Sequence, residues 1–134
     1  MMAFVLDASI ASVWALADET SLVADAALDR LRSDTCLVPP LWWYEIRNVL
    51  IVNERRKRIT PDNSAVFLRI IGEYPIQVDA VLDEQTNLRF ARDYGLSFYD
   101  AAYLAVAHRN GIPLATLDKN LKSAAESAGV LLLG

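Results

Sequence analysis

Phe4-Val5-Leu6-Asp7-Ala8-Ser9-Ile10-Ala11-Ser12-Val13-Trp14-Ala15-Leu16-Ala17 is the stretch that decides the architecture. Its first three residues form an apolar run of the kind found in short, buried strands. From Ser9 onward the period changes. Ile10, Val13, Trp14 and Ala17 fall on one face of a helix over 9–18, with Asp7 or Ser9 placed to cap it. A buried strand that passes directly into an amphipathic helix sets an alternation that the rest of the chain repeats.

Leu22, Ala26, Leu28 and Leu31 predict a second helix over 21–33, and Cys36-Leu37-Val38 a strand that Pro39-Pro40 ends. A long helix is expected over about 41–57. Thr60-Pro61-Asp62 opens another, with Pro at its first position, which runs to about Ile71. Pro75-Ile76-Gln77-Val78 is a third strand. Helices over 81–93 and 98–109 stop at Gly95 and near Gly111, the second capped by Ser97. Leu114-Ala115-Thr116 is a strand, 119–128 a helix ending at Gly129, and Val130-Leu131-Leu132 a last strand. Short apolar strands alternating with helices imply an α/β fold with a parallel sheet covered on both faces. In such sheets ligands bind beyond the carboxyl ends of the strands.

The 134 residues, 54% of them hydrophobic and 22% charged, fit one domain over 1–134 with a real core. No segment is Pro-rich, Gly/Ser-rich or repetitive. The single cysteine, Cys36, excludes an internal disulfide and fits a reducing compartment. The first residues lack a basic leader, and no apolar run approaches the roughly 18 residues of a membrane span, so a cytoplasmic location without membrane contact is expected. A net charge of −4 argues against broad, nonspecific nucleic-acid binding, though not against acids gathered in one metal site. Arg55, Arg56, Lys57 and Arg58 form a basic run, and Lys119 and Lys122 a second group. Solvated helix ends or phosphate contacts both account for them.

Four acids stand out. Asp7 and Asp118 each follow an apolar strand. Asp100 lies near the start of the strongly apolar helix of Ser97-Phe98-Tyr99-Asp100-Ala101-Ala102-Tyr103-Leu104-Ala105. Glu45 shares a mostly apolar helix face with Leu41, Asn48, Val49 and Val52, where an unpartnered carboxylate is costly. Each has a bland alternative. Asp7 and Asp118 are placed to cap helices, Asp100 completes a capping box with Ser97, and Glu45 fits a half-exposed surface position. As a set, the four can converge at one end of the sheet. Carboxylates brought together repel, and a hard divalent ion relieves them. Such an ion also neutralises a scissile phosphate and activates water.

Other chemistries lack their parts. His108 is the only histidine and Cys36 has no activating motif, so a Ser-His-Asp or Cys-His site is unsupported. There is no glycine-rich phosphate loop and no zinc-type Cys/His spacing.

At these residues the sequence resembles the PIN-domain family, and within it the VapC-type toxins. The matching pieces are Val5-Leu6-Asp7-Ala8-Ser9, Glu45-Ile46-Arg47-Asn48-Val49-Leu50, the segment from Ser97 to Ala105 already quoted, and Pro113-Leu114-Ala115-Thr116-Leu117-Asp118. Together they span nearly the whole chain. The resemblance implies a three-layer α/β/α sandwich with a mainly parallel central sheet, and Mg²⁺-dependent cleavage of single-stranded RNA or an RNA loop, with Mn²⁺ able to substitute. On that pattern Asp7 and Asp100 are the principal metal ligands, Glu45 completes the cluster, and Asp118 takes the fourth acidic position. Ser9, Asn48 and Thr116 match supporting polar positions. The resemblance also implies a cognate antitoxin and a homodimer. Trp14, Trp42 and Trp43 could line an apolar groove for such a partner, or lie in the core.

Competing readings remain within reach of the sequence. A haloacid-dehalogenase-like phosphatase would want an acid where Ser9 stands, and a receiver domain would want an acidic pair that the first strand lacks. A non-catalytic module that binds RNA or protein on the same fold is the alternative from a different class.

Overall fold

The computed structural model describes residues 2–133, so the first and last residues of the expected 1–134 domain lie outside the described residues. β1 (Ala3–Leu6) carries Phe4, Val5 and Leu6, none of which exposes any surface. It is followed by α1 (Ala8–Ala15), α2 (Leu22–Arg30), β2 (Thr35–Val38), α3 (Leu41–Arg55), α4 (Pro61–Ile71), β3 (Ile76–Val78), α5 (Glu84–Tyr94), α6 (Phe98–Asn110), β4 (Leu114–Ala115) and α7 (Lys119–Ser127). The four strands form one parallel sheet in the order β3-β2-β1-β4.

That order places the helices. The connections from β1 to β2 and from β2 to β3 step across the sheet in one direction, while the connection from β3 to β4 returns past both. Right-handed crossovers therefore put α1 to α4 on one face and α5 with α6 on the other. α1 touches α2 and α3, and α6 touches β1, β2, β4 and α5, as that arrangement requires. The sheet is thus the middle layer of an α/β/α sandwich. Between β1 and β4 the outgoing connections leave for opposite faces, which makes this the switch point of the sheet.

Local chemistry sets the helix ends. Ser21, Thr60, Asp83, Ser97 and Asp118 each accept a backbone N–H three residues on. Gly111 closes α6 at φ 63°, with open space where a Cβ would stand. Gly111→Ala should therefore cost about 1 kcal/mol from backbone conformation alone. A shifted urea midpoint with an unchanged slope would show it. α6 itself is apolar nearly all round, burying Ala101, Tyr103, Leu104, Ala105, Val106 and Ala107 between β-sheet and neighbouring helices.

Four expectations shift. α2 ends at Arg30 rather than residue 33, where turns follow it. α1 ends at Ala15 rather than residue 18, because Leu16 turns to extended backbone and buries its side chain. α5 begins at Glu84, where Asp83 caps it, and Val81 and Leu82 remain exposed ahead of it. Val130-Leu131-Leu132 does not form a strand: only Leu132 bridges Leu114, in parallel sense. Among the described residues no helix is long and apolar enough to cross a membrane.

Candidate active site

The switch point is where the first acid sits. Asp7 directly follows β1, and the register Leu6↔Ala115 brings it beside Thr116, directly after β4. Asp7 is 6% exposed. It occupies the N-cap position of α1, yet its side chain makes no cap bond there. Its Oδ2 instead accepts the hydroxyls of Ser9 and Thr116, each at 2.7 Å. Those hydroxyls are themselves held. Ser9 Oγ accepts the Leu117 N–H at 3.0 Å, and Thr116 Oγ1 accepts the Asp118 N–H at 3.0 Å. Each hydroxyl has one proton. Both protons point at Asp7, so the 3.5 Å approach of Ser9 to Thr116 adds no bond.

Asp118 does cap α7, its Oδ1 accepting the Leu121 N–H at 2.9 Å. Asp100 lies in the first turn of α6, its own N–H donated to Ser97 Oγ at 3.0 Å. Glu45 is half-buried on α3 and accepts the hydroxyl of Tyr103, a residue with no exposed surface. Tyr103 is the site residue that sequence reasoning missed. Its only signal is its spacing, one turn beyond Asp100 on the same helix face.

Burial raises the Asp7 carboxyl above its ordinary value, against the opposing bonds from Thr116, Ser9 and the Ala8 N–H, and the Asp118 charge adds to the rise. Burial likewise raises Glu45; the Tyr103 bond opposes this, and the charges of Asp7 and Asp100 reinforce it. Asp100 is raised by burial and then by Asp7 and Asp118, with Ser97 opposing. The charges that act on these three carboxyls are thus one another's and that of Asp118. The four acids share one electrostatic neighbourhood.

They do not form a closed cage. Among the described residues no three acids are grouped tightly enough to hold one ion directly. The donor set is oxygen only, which suits a hard cation, and Mg²⁺ usually takes one or two carboxylates with several waters. Asp7 at the switch point with one neighbouring acid fits that demand.

Other sequence expectations divide. Ser9 and Thr116 join the site. Asn48 is exposed on α3, and no hydrogen bond links it to the acids among the described residues. Cys36 is buried, its thiol pushed up by burial. His108, in the last turn of α6, packs its ring edge-on to Phe90 with centroids 5.3 Å apart. Trp42 is core, and Trp14 donates its Nε1–H to the Ala24 carbonyl at 2.8 Å. Only Trp43 stands at the surface, 49% exposed, with the Arg47 guanidinium 3.7 Å from its ring centroid. In the basic run Arg58 closes onto Asp18 and Glu19 at 3.0 and 3.1 Å, an internal role. Lys119 is exposed beside Asp118, and Lys122 is half-buried one turn on.

The likeness to known proteins extends over the same pieces. A family model described as PIN domain matches residues 4–127. Exonuclease VapC9 of Pyrobaculum aerophilum is 34% identical over 86 residues, a match that spans 63% of each chain. Ribonuclease VapC3 of the same organism is 29% identical over 123 residues, 90% of this chain and 92% of that one. The crystal structure of PAE2754 from Pyrobaculum aerophilum aligns with a TM-score of 0.70 at 25% identity, covering 92% of this chain and 84% of that one. Mycobacterium tuberculosis VapC20, described as a sarcin-ricin loop cleaving toxin, aligns with a TM-score of 0.60 at 16% identity over 90% of this chain and 94% of its own, a likeness of fold.

Proposed function

The chain belongs to the PIN domain family, and from that premise we propose that it is a divalent-metal-dependent endoribonuclease, the toxin of a type II toxin–antitoxin pair. The observation that carries the reading is the buried Asp7 at the switch point, held by two hydroxyls and within reach of the charges of Asp118, Asp100 and Glu45. The names of the curated relatives, an exonuclease and a ribonuclease, support the same class of chemistry.

Asp7 and Asp100 are the residues to hold Mg²⁺, or Mn²⁺ in its place. When bound, such an ion supplies the charge that lets water attack a phosphodiester at neutral pH. The chain's own groups do the rest. Ser9 and Thr116 fix Oδ2 of Asp7, leaving Oδ1 outside that pair of bonds. Tyr103 fixes Oε1 of Glu45, whose raised pKa suits it to take a proton from the attacking water. Asp118 holds the start of α7 and adds negative charge that a cation offsets. A metal-dependent phosphatase fits less well, because Ser9, two residues after Asp7, is committed to holding that carboxylate.

The wider reading places the enzyme in the cytoplasm as a homodimer restrained by a cognate antitoxin protein. Trp43 with Arg47, and Tyr44 at 5.1 Å from Trp43, offers an exposed aromatic patch for protein contact.

Expression without an antitoxin tests the proposal in cells. The native chain should arrest bacterial growth and create new RNA ends, and Asp100→Asn should do neither. Equal RNA ends from both chains would sink the mechanism, and RNA binding without new ends would favour a non-catalytic module. Thr116→Val should lower cleavage or metal affinity about 10–100-fold, because it removes a support of a ligand rather than the ligand. Metal titration followed by initial rates on single-stranded RNA measures it.

A further inference from the structure

Along α6, from its first turn to Arg109 in its last, and beside the start of α3, the loop from β3 to α5 and Asn87 of α5, lies a groove of about 250 Å³. Its apolar wall includes Leu41, Leu82, Phe98 and Tyr99. Leu82 is 87% exposed, Tyr99 65% and Phe98 44%. Clustered apolar exposure of this kind marks a binding surface. Two polar side chains, Asn87 and Arg109, also line the groove. Arg109 faces Asp79 across 3.1 Å, and its Nη2 is buried with no aligned hydrogen bond. The groove shares its elements with the acid site: Tyr99 immediately precedes Asp100, and Leu41 lies one helical turn before Glu45.

We propose that this groove receives one unpaired nucleobase of the RNA substrate, next to the bond to be cut. The inference rests on the nuclease reading above and adds a specificity subsite to it. Exposed aromatic faces stack on any base. The Asn87 amide both donates and accepts, so the groove can read the edge of a stacked base, while Arg109 stays paired with Asp79. A mostly apolar pocket with a few polar groups is the usual form of a site for a small planar ligand. Its position beside Asp100 and Glu45 favours a piece of the substrate as occupant over a second copy of the chain. Only a base free of its pair can enter, so a single strand or a loop is the form selected.

The test is a two-way cycle on a short single-stranded RNA with one mapped cleavage point. Abasic nucleotides are placed in turn at each position flanking that point, and kcat and KM are measured for the native chain and for Tyr99→Ala. One abasic position should raise KM about tenfold with the native chain. Tyr99→Ala should raise KM similarly on the intact RNA, and the two losses together should not exceed either alone. Losses that multiply would overturn the subsite. So would a change from dimer to monomer in Tyr99→Ala with no coupling to any abasic position, which would make the groove a protein interface. Failure of the native chain to cut RNA in Mg²⁺ or Mn²⁺ would strike the nuclease reading instead. The fluorescence of 2-aminopurine placed at each position of the strand in turn then decides the subsite, since quenching by native protein that Tyr99→Ala abolishes needs no cleavage. Absence of quenching at every position would overturn it.

Discussion

Asp7→Asn should abolish RNA cleavage, by about a thousandfold or more, and at the same time make the metal-free protein more stable. The first effect follows from removing a negative oxygen at the point where the proposed cation is held. The second follows from burial. The Asp7 carboxyl is raised above its unfolded value chiefly by desolvation. A carboxyl shifted upward favours folding in its protonated form, fully so below the unfolded pKa, and that contribution is lost as pH rises through the folded pKa. At neutral pH the buried charge is therefore a strain on the apo fold. Asparagine removes the charge and keeps one oxygen, which suffices because both hydroxyls converge on Oδ2 alone. Thermal midpoints in EDTA should rise for Asp7→Asn at pH 7, and the gain should shrink as pH falls. Added Mg²⁺ should stabilise the native chain and leave the variant unmoved. Undiminished cleavage would refute the assignment of Asp7 as a ligand. A variant less stable than the native chain in EDTA would refute the burial argument.

Glu45→Gln should reduce cleavage about 10²- to 10⁴-fold if Glu45 takes the proton of the attacking water. The pH profile separates this role from simple support. Glu45 must be ionised to act as a base, so the rate should rise with pH through its raised pKa. Tyr103 donates to the ionised form and holds that pKa down against desolvation. Tyr103→Phe should therefore move the acidic limb of kcat/KM to higher pH while the plateau still approaches the native rate. A profile unmoved by Tyr103→Phe, with Glu45→Gln nearly active, would leave Glu45 as a structural residue.

Much of this arrangement is legible in the chain. The period change after Leu6 and the run of Cys36-Leu37-Val38 mark β1 and β2, and Thr60-Pro61 and Ser97 mark helix starts that the structure keeps. Val130 to Leu132 misleads because apolar character is shared by strands and by segments that merely cover a core. There the chain meets β4 in a single bridge, Leu131 and Leu133 bonding to the backbone of Leu114 on either side of Leu132. The acids at strand ends are visible because a charge beside an apolar run is unusual. Their supports are harder to see. Thr116 reaches Asp7, and the Leu117 N–H reaches Ser9, only once the sheet places β4 against β1, which local pattern cannot reveal. Tyr103 is hidden for the opposite reason: a buried aromatic on an apolar helix looks like packing until its hydroxyl is traced to Glu45. Asn48, which the resemblance places among the supporting residues, is exposed on α3.

The bond from Thr116 to Asp7 joins residues 109 apart in sequence. Closing so long a loop is slow and comes late in folding. During synthesis at roughly 5–20 residues per second, Asp7 leaves the ribosome several seconds before Thr116 is made. β1 is the first strand to be born and the last to gain both neighbours, since β4 closes its second edge. A nascent chain or a fragment that stops before residue 116 lacks the hydroxyl that orients Asp7. A fragment that carries β1 but not β4 therefore holds the Asp7 carboxylate by Ser9 alone.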